Sequence, residues 1–245
     1  MLRIAEIGSN YRDFDDVINY IHRLEAHIIK LQYFTSLDLY DSFMEDRKKA
    51  VVFKYSQLAD FIRECHKHDK KAMISIFNHE RVEDLNPFTD YHKVASSEIT
   101  YIDLLEKMAE TGKDVFVSCG GATDDEIDQA VRIIGKDKII LMGCKVEYPT
   151  NKSWPYDGKR IGDKFGCRWG YSDHSKEVYL VKHICEELGA YAWEKHVCFA
   201  SIDNKPDFAV SITVQEFNMA AGNIHNPALN PHKRIKNNKG RWVRP

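Results

Sequence analysis

The sequence predicts an α/β fold, a TIM-type (β/α)8 barrel in a single domain. Short apolar segments alternate with longer amphipathic stretches along the chain, and eight of the apolar segments have the length of buried strands. Alternating strands and helices imply right-handed crossovers and a parallel sheet, and eight such units close into a barrel. A length of 245 residues with 43% hydrophobic residues suits one such barrel better than two small domains.

The predicted elements follow in chain order. Strands are expected at residues 3–7, 27–32, 72–76, 92–95, 114–118, 139–142, 168–172 and 192–196. Helices are expected at residues 14–25, 57–67, 102–111, 124–134, 175–188 and 213–224. Segment 77–91 leaves room for only a very short helix. Segment 145–164, rich in Pro, Gly, Asn and Lys, is predicted as an irregular loop over the mouth, the end of the barrel at which the strands finish.

Composition limits the classes of partner. A formal net charge of -2 and a pI near 6.6 give no global field that would attract nucleic acid or an anionic membrane surface. The amino terminus lacks a signal-peptide pattern and no run of about 18 apolar residues occurs, so we expect a soluble, cytoplasmic protein that binds small molecules. The six cysteines lack CxxC pairing, which predicts reduced thiols and no structural zinc: Cys65, Cys119, Cys144, Cys167, Cys185 and Cys198.

Two histidines stand at the ends of the last two predicted strands. His174 follows strand 168–172 and His196 ends strand 192–196, with a predicted helix between them. Adjacent parallel strands lie about 4.8 Å apart, close enough for two imidazoles to share one divalent ion at about 2.1 Å each. The pattern therefore predicts a metal site. The other histidines, among them His22 and His68, are expected to be packed or surface residues.

The remaining predicted strand ends also carry polar residues. They are Lys30, Gln32, Ser75, Lys93, Ser96, Ser118, Tyr148, Ser172 and Glu194. Two lysines and several hydroxyls at one mouth predict a phosphate or carboxylate site. Because a lysine in the apolar run 28–31 is costly to bury unless paired, Glu6 in the first strand is its natural counter-charge. Two structural alternatives stay open: Lys30 as a mere partner of Glu6, and Ser118 as a small packing residue.

Seven segments occur in the order in which sialic acid synthases carry their motifs. They are IAEIGSN (4–10), IKLQ (29–32), KVASSE (93–98), VSCG (117–120), EYPT (147–150), SDH (172–174) and EKH (194–196). From its first strand to about residue 224 the chain resembles the catalytic barrel of that family. The resemblance implies condensation of phosphoenolpyruvate with the open-chain aldehyde of an N-acetylated hexosamine, such as N-acetylmannosamine. The products would be a nonulosonic acid and phosphate, and the reaction would need a divalent ion, Mn²⁺ or alternatively Mg²⁺ or Co²⁺.

The resemblance also implies roles for individual residues. The phosphoenolpyruvate site would comprise Lys30, Lys93, Ser96, Ser118 and Ser172, with Gln32 and Asn10 as further substrate contacts. The metal would be held by His174 and His196. The catalytic residues would be Glu6, Tyr148 beside the substrates, and Asp207 near the reacting aldehyde. Either carboxylate could handle the proton of the attacking water.

The chain departs from the family pattern in three places. Asn10-Tyr11-Arg12-Asp13 stands where the family has Asn-His followed by Gly, and Val146 replaces a polar contact. The chain also ends where family members continue into a small antifreeze-like domain, whose arginine reaches the sugar in the partner subunit of a dimer. We therefore divide the chain into a barrel, residues 1–226, and a basic tail, residues 227–245, expected to be a solvated terminus or, alternatively, an arm over a barrel mouth. A homodimer is compatible with the resemblance.

Two other functions stay open. One is condensation of phosphoenolpyruvate with a phosphorylated aldose, as in the 3-deoxy-aldulosonate synthases. Their Cys-His-Glu-Asp metal set needs more than the two histidines seen here, which disfavours this reading. The other is a non-catalytic barrel that retains ligand binding, although such a remnant need not keep both histidines, both lysines and Glu6.

Overall fold

The barrel forms because its apolar strands can bury both faces, one against the interior and one against surrounding helices. A computed structural model describes residues 1–8, 10–34, 53–151, 153–177, 179–199 and 207–222, and the backbone of 235–236 and 242–243. Each of the first eight strands pairs in parallel with the next, and the first also pairs with the eighth, which closes the sheet. The predicted single-domain TIM-type barrel is confirmed.

The strands and helices alternate in chain order. The strands are β1 (Leu2–Gly8), β2 (Ile28–Tyr33), β3 (Lys71–Ile76), β4 (Tyr91–Val94), β5 (Val115–Ser118), β6 (Ile139–Cys144), β7 (Arg168–Asp173) and β8 (Ala192–Cys198). The helices are α1 (Phe14–Arg23), α2 (Tyr55–Lys67), α3 (Val82–Leu85), α4 (Ile102–Glu110), α5 (Asp124–Ile134), α6 (Tyr156–Phe165), α7 (Leu180–Glu187) and α8 (Val214–Ala221). Three two-residue strands complete the set: β9 (Ile212–Thr213), which pairs with β8, and β10 (Ile235–Lys236), which pairs antiparallel with β11 (Trp242–Val243).

Side chains of the strands alternate between two cores. The larger core fills the space between strands and helices, and the smaller one fills the barrel interior with Ile4, Ile28, Met73, Phe116, Ile140, Met142 and Ala192. Because side chains repeat every second residue along a strand, the residue two positions beyond each interior side chain also faces inward. This rule directs the polar strand-end residues into the mouth of the barrel.

The sixth crossover corrects one prediction. Segment 145–164 is not irregular throughout, because α6 occupies its second half and buries Gly158, Ile161, Gly162 and Phe165 on one face. A Cβ at Gly158 would overlap the carbonyl of Gly170, and one at Gly162 would overlap Trp169, so the glycines allow the helix to approach β7 closely. The same glycines weaken the helical signal in the sequence.

The seventh crossover corrects a second prediction. A helix was expected to start at Ser175, but α7 begins at Leu180. The carboxylate of Asp173 accepts hydrogen bonds from the backbone N–H of Ser175 at 2.9 Å and from its hydroxyl at 2.7 Å. Ser175 also forms an isolated parallel bridge with Thr150. These bonds hold the chain just beyond β7 in an extended form and delay the helix.

The third crossover is as short as predicted. Helix α3 has four residues and is flanked by two single turns of 3₁₀ helix, His79–Arg81 and Asn86–Phe88. The predicted tail, and the last two residues of the helix expected at 213–224, lie outside the described residues except for β10 and β11. All six cysteines are free thiols. Within the described part of the chain, no helix has the length and apolar character needed to cross a membrane.

Candidate active site at the barrel mouth

A lysine lies between two carboxylates at the ends of three adjacent strands. Glu6 on β1 is in register with Lys30 on β2, and Glu194 on β8 is in register with Ile4, two residues before Glu6 on the other side of β1. Lys30 Nζ forms a close ion pair with Glu6, lies 3.4 Å from Glu194 Oε1 and donates a hydrogen bond to Ser75 Oγ at 3.3 Å. The predicted counter-charge for Lys30 is therefore confirmed, and Glu194 adds a second one.

The two carboxyl groups of this cluster titrate in opposite directions. Burial raises the pKa of Glu6 to about 7, with Glu194 and Asp207 adding to the rise and Lys30 opposing it. Burial also opposes ionisation of Glu194, but Lys30 and Lys93 outweigh it and lower the pKa of Glu194 to about 2. The two pKa values differ because Glu194 faces two lysines and accepts a hydrogen bond from Ser172, whereas Glu6 faces one lysine and two other carboxylates. At neutral pH, Glu194 is ionised and Glu6 is poised between its two forms.

Lys93 on β4 is also buried but, unlike Lys30, it contacts neutral oxygens. Its Nζ donates hydrogen bonds to Ser118 Oγ at 2.6 Å and to the backbone carbonyl of Val94 at 2.9 Å, and it makes no ion pair with any residue that the structure describes. Burial lowers the pKa of Lys93, an effect that Glu194 partly offsets. A buried ammonium held by neutral oxygens is a place where an anionic group gains most from binding.

The other residues predicted for the anion site lie around these lysines. Ser172 Oγ donates a hydrogen bond to Glu194 Oε1 at 2.7 Å, which orients that carboxylate. Gln32 is buried at the end of β2, in register with Ser75. Ser96 is partly exposed and starts a single 3₁₀ turn just after β4.

The two predicted metal ligands lie side by side at the same mouth. The ring centroids of His174 and His196 are 5.7 Å apart. His174 Nδ1 is 2.7 Å from the carbonyl of Lys145, which can only accept, so we assign the proton to Nδ1. The other nitrogen, Nε2, then accepts a hydrogen bond from the Tyr148 hydroxyl at 2.8 Å. In this tautomer the lone pair is on Nε2, the nitrogen that contacts Tyr148.

Both imidazoles have the protonation state that a metal ligand needs. Burial lowers the pKa of His196 to about 3 and also lowers the pKa of His174. His196 Nδ1 is buried without a hydrogen-bond partner among the described residues. Metal ions bind neutral imidazole, and a carbonyl that fixes the second nitrogen is a common outer support for a ligating histidine. The donor set therefore fits a divalent ion that also takes oxygen ligands.

Asp207 reaches the mouth from the segment that follows β8. It is 1% exposed, and its carboxylate lies against Gly8, where a Cβ would overlap Asp207 Oδ2. Gly8 has a φ of +56° at an irregularity in the pairing of β1 with β2, so both its conformation and its missing side chain admit this carboxylate. Glycine at this position is required by the close approach of Asp207.

Asn10, predicted as a further substrate contact, supports the same region. Its side-chain N–H group donates to the carbonyl of Val197 at 2.9 Å and to Ser211 Oγ at 2.8 Å. Its Oδ1 is buried without a hydrogen-bond partner among the described residues. Asn10 thus connects the end of β8 to the segment that carries Asp207. Of its side-chain atoms, Oδ1 is the one that a ligand could contact.

A second ion pair lies behind the histidines, between strands and helices. Lys195 Nζ is 3.3 Å from Asp173 Oδ2 and donates to the carbonyl groups of Asp173 and Ser175. Both carboxylate and ammonium are fully buried, and the two residues are in register on β7 and β8. The two carbonyl groups flank His174 in the chain, so this ion pair fixes the backbone that carries it.

Three of these residues are not predicted as part of the site from the sequence. Glu194 is predicted only as a polar strand-end residue, and no role is predicted for Asp173 or Lys195. A period-two count from His196 would have placed Glu194 on the inward face. The sequence did contain a signal for the ion pair on the outer face. Asp173 and Lys195 each directly precede one of the two predicted metal ligands, at the ends of two neighbouring apolar strands.

The fold is a closed α/β barrel whose mouth brings together two buried lysines, buried carboxylates and a pair of imidazoles. A sequence profile of the NeuB family matches residues 17–230. The chain belongs to the NeuB family.

Named relatives and solved structures agree with this membership. The chain is 31% identical over 169 residues to the N,N'-diacetyllegionaminic acid synthase of Campylobacter jejuni, a match covering 64% of this chain and 50% of that protein. It is 28% identical over 242 residues to the pseudaminic acid synthase of Helicobacter pylori, covering 87% and 70%. The crystal structure of the N-acetylneuraminic acid synthetase of Leptospira borgpetersenii with citrate superposes with a TM-score of 0.82 at 26% identity, covering 90% and 81%. The chain spans about half the length of the first curated relatives that it matches.

Proposed function

We propose that the protein condenses phosphoenolpyruvate with the open-chain aldehyde of an N-acetylated amino sugar, giving a nonulosonic acid and phosphate. The observation that carries the proposal is the buried Lys93, which has no ion-pair partner among the described residues, in a mouth shared with two neutral imidazoles. Membership of the NeuB family supports it, since the relatives named above are synthases of legionaminic, pseudaminic and sialic acids.

The charges of the pocket suit a small, multiply charged anion. Lys30 and Lys93 both lie at the mouth, and Lys93 makes no ion pair with any described residue, so an anionic group can supply the counter-charge that this ammonium group lacks. Lys93 and Ser118 would take the first anionic group of phosphoenolpyruvate, and Lys30 with Ser172 and Ser96 would take the second. Charge-assisted hydrogen bonds of this kind are the strongest that side chains make. Gln32 and the side-chain Oδ1 of Asn10 are the remaining proposed contacts to phosphoenolpyruvate.

The proposed reaction balances with one molecule of water. C3 of phosphoenolpyruvate bonds to the aldehyde carbon, and the aldehyde oxygen gains a proton from solvent. Water adds to the cationic C2 and loses one proton to Glu6, which returns it to solvent. The C2–O bond to phosphate then breaks as the C2 hydroxyl gives its proton to the departing phosphate, leaving the keto acid and hydrogen phosphate. The lysines and hydroxyls stabilise the negative charge of the phosphate and carboxylate throughout.

Glu6 is the proposed proton acceptor. A group with a pKa near the working pH is the most effective general base, and the pKa of Glu6 is raised to about 7. Asp207 would instead hold a hydroxyl of the sugar or of the hydrated aldehyde, because its carboxylate reaches the mouth beside Gly8.

His174 and His196 are the proposed ligands of a divalent ion, Mn²⁺ with Mg²⁺ and Co²⁺ as alternatives. Such an ion would polarise the aldehyde oxygen as a Lewis acid. Two hydrogen bonds orient the His174 ring. The carbonyl of Lys145 fixes its tautomer, and the Tyr148 hydroxyl donates to its Nε2. Tyr148 is about half exposed, so it can leave this nitrogen when a ligand arrives.

The test is release of inorganic phosphate from phosphoenolpyruvate by the purified protein, with and without Mn²⁺. The panel of aldoses is headed by N-acetylmannosamine and includes diacetamido sugars and phosphorylated aldoses. Release that needs both Mn²⁺ and an N-acetylated sugar is the expected result. His196→Ala should abolish this metal-dependent turnover while the protein stays folded by circular dichroism.

Two outcomes would contradict the proposal. Release with a phosphorylated aldose alone would point to a 3-deoxy-aldulosonate type of synthase. Binding of phosphoenolpyruvate without release, whatever the sugar, would mean that this chain only binds the ligand. Isothermal titration with phosphoenolpyruvate separates that second outcome from a protein that has lost the pocket.

A further inference from the structure

Two histidines and a glutamate converge on the outer wall of the barrel, between α1 and α2. His22 lies in the last turn of α1, Glu64 lies in α2, and His68 caps the end of α2. Their potential ligand atoms all lie within 4.8 Å of one another, and no other group of three or more His, Cys, Asp or Glu side chains in the described part of the chain meets this condition. From the sequence alone, both histidines are predicted to be packed or surface residues.

The distances in this cluster match the edges of a tetrahedral metal site. His22 Nε2 is 2.9 Å and His68 Nε2 is 3.3 Å from the same oxygen, Glu64 Oε1. Ligands about 2.05 Å from a tetrahedral zinc ion are separated by about 3.3 Å. The imidazole rings are already side by side, with centroids 4.4 Å apart and planes inclined by 35°. Small rotations of these side chains would therefore suffice to admit the ion.

The surrounding charges also favour a cation. Glu64 contributes a carboxylate to the cluster, and two imidazoles face its Oε1. The C-terminal ends of α1 and α2 both lie at the cluster, and helix C-termini carry partial negative charge. The three side chains are only partly exposed, with 42% for His22, 17% for Glu64 and 32% for His68, which leaves a solvent-facing position for a fourth ligand.

We infer that His22, Glu64 and His68 form a binding site for a divalent transition metal, of which Zn²⁺ is the best fit. Two imidazoles and one carboxylate are a zinc ligand set when water takes the fourth position. The site would tie α1 to α2 at the end of the barrel where the strands begin, opposite the mouth. It is independent of the function proposed for the mouth, because it shares no residue with that site.

One neighbouring cation competes with the metal. Lys67 Nζ lies 3.2 Å from Glu64 Oε1, on a side chain that is 68% exposed. A metal ion would displace this ammonium group into solvent. Removing its charge with Lys67→Met should therefore tighten binding by about two- to fivefold, the range of an exposed ion pair.

The experiment measures Zn²⁺ bound per chain by equilibrium dialysis and elemental analysis. The wild type is compared with a His22→Gln/His68→Gln double variant and with His183→Gln. His183 is a matched control because it faces Glu187 at 3.0 Å, four residues apart on α7, and belongs to no cluster of three such side chains. We expect the double variant to bind one ion fewer per chain, and the control to bind as the wild type does.

Affinity and stability give two further readouts. Each single variant, His22→Gln or His68→Gln, should weaken Zn²⁺ binding by at least about 10-fold. Zn²⁺ at about 100 times its dissociation constant should raise the melting temperature of the wild type about 5 to 10 °C more than that of the double variant. An unchanged ion count and affinity in a folded double variant would overturn the inference. Since phosphate release plays no part in these measurements, failure here leaves the proposed function untouched.

Discussion

Replacing Glu6 by Gln tests the central electrostatic feature of the mouth. Glu6 is fully buried, and its pKa is raised from 4.5 to about 7, first by burial and then by the charges of Glu194 and Asp207, against the opposing charge of Lys30. The folded protein therefore binds the proton of Glu6 more tightly than the unfolded chain does. Glutamine has nearly the same shape and cannot titrate, so the variant removes this proton linkage.

The sign and size of the effect follow from linkage. A carboxyl group whose pKa is raised on folding stabilises the protein at low pH and loses that contribution as the pH rises through the folded pKa. The interval from 4.5 to about 7 corresponds to about 3 kcal/mol, at about 1.4 kcal/mol per pKa unit. Between pH 5 and pH 8, the wild type should therefore lose about 2 to 3 kcal/mol of stability relative to Glu6→Gln.

The assay is urea denaturation of both proteins at half-unit steps from pH 5 to pH 8. The difference between the two free energies of unfolding is the relevant quantity, because costs that do not depend on pH, such as the altered contact with Lys30, cancel along the series. Glu106→Gln on the exposed face of α4 provides the control, for which no such divergence is expected. If the difference stays flat or shrinks as the pH rises, Glu6 is an ordinary ionised partner of Lys30 and the reasoning fails.

Three further substitutions test other contacts. Lys93→Ala should weaken phosphoenolpyruvate binding by about 10- to 100-fold in isothermal titration, the value of one hydrogen bond to a charged group; an unchanged affinity would remove Lys93 from the site. Gly8→Ala should destabilise the fold by more than Gly112→Ala in thermal melts, since both glycines have positive φ but only a Cβ at Gly8 would meet the Asp207 carboxylate; equal losses would argue against that contact. Lys195→Met should cost about 3 to 5 kcal/mol of stability by leaving Asp173 buried and unpaired, and adding Asp173→Asn should recover part of it; an additive double variant would contradict the pairing.

The strands were predictable because their local pattern and their tertiary role agree. Each apolar run buries both faces, and the interruption of one such run by Lys30 signalled a partner, which proved to be Glu6. Helix α5 was also predicted to the residue, since Thr123 and Glu126 form a capping box at its start and Gly135 follows its end. Such local signals do not depend on the rest of the chain.

Features that depend on contacts between elements were not predictable. Helix α6 escaped prediction because Gly158 and Gly162 are poor helix formers in isolation and are present to let the helix pack against Trp169. The start of α7 was misplaced because the Asp173 carboxylate binds Ser175 in a non-helical form. In both cases a tertiary or side-chain contact outweighed local propensity.

The pairing of Glu194 with Lys30 required the register between β1, β2 and β8. Alternation along a strand puts Glu194 and His196 on one face and Lys195 on the other, but the sequence does not give the register that brings Glu194 close to Lys30. The structure separates them, with Glu194 and His196 directed to the mouth and Lys195 directed to the helices. Only then does the division of charge between Glu194 and Glu6 become apparent.

This alternation of side chains places two ion-pair clusters on opposite faces of the sheet: Lys30 with Glu6 and Glu194 at the mouth, and Lys195 with Asp173 on the side of the helices. Glu194 and His196 face the mouth, while Lys195, between them in the chain, binds Asp173 and the carbonyl groups on either side of His174. A fully buried ion pair adds little net stability, because desolvation of the charges offsets most of their attraction. Its value here is positional: His174 cannot move away from His196 unless a buried ammonium gives up two carbonyl groups and a carboxylate together. The alternation of strand side chains thus places the chemistry on one face and its rigid support on the other, within the same few residues.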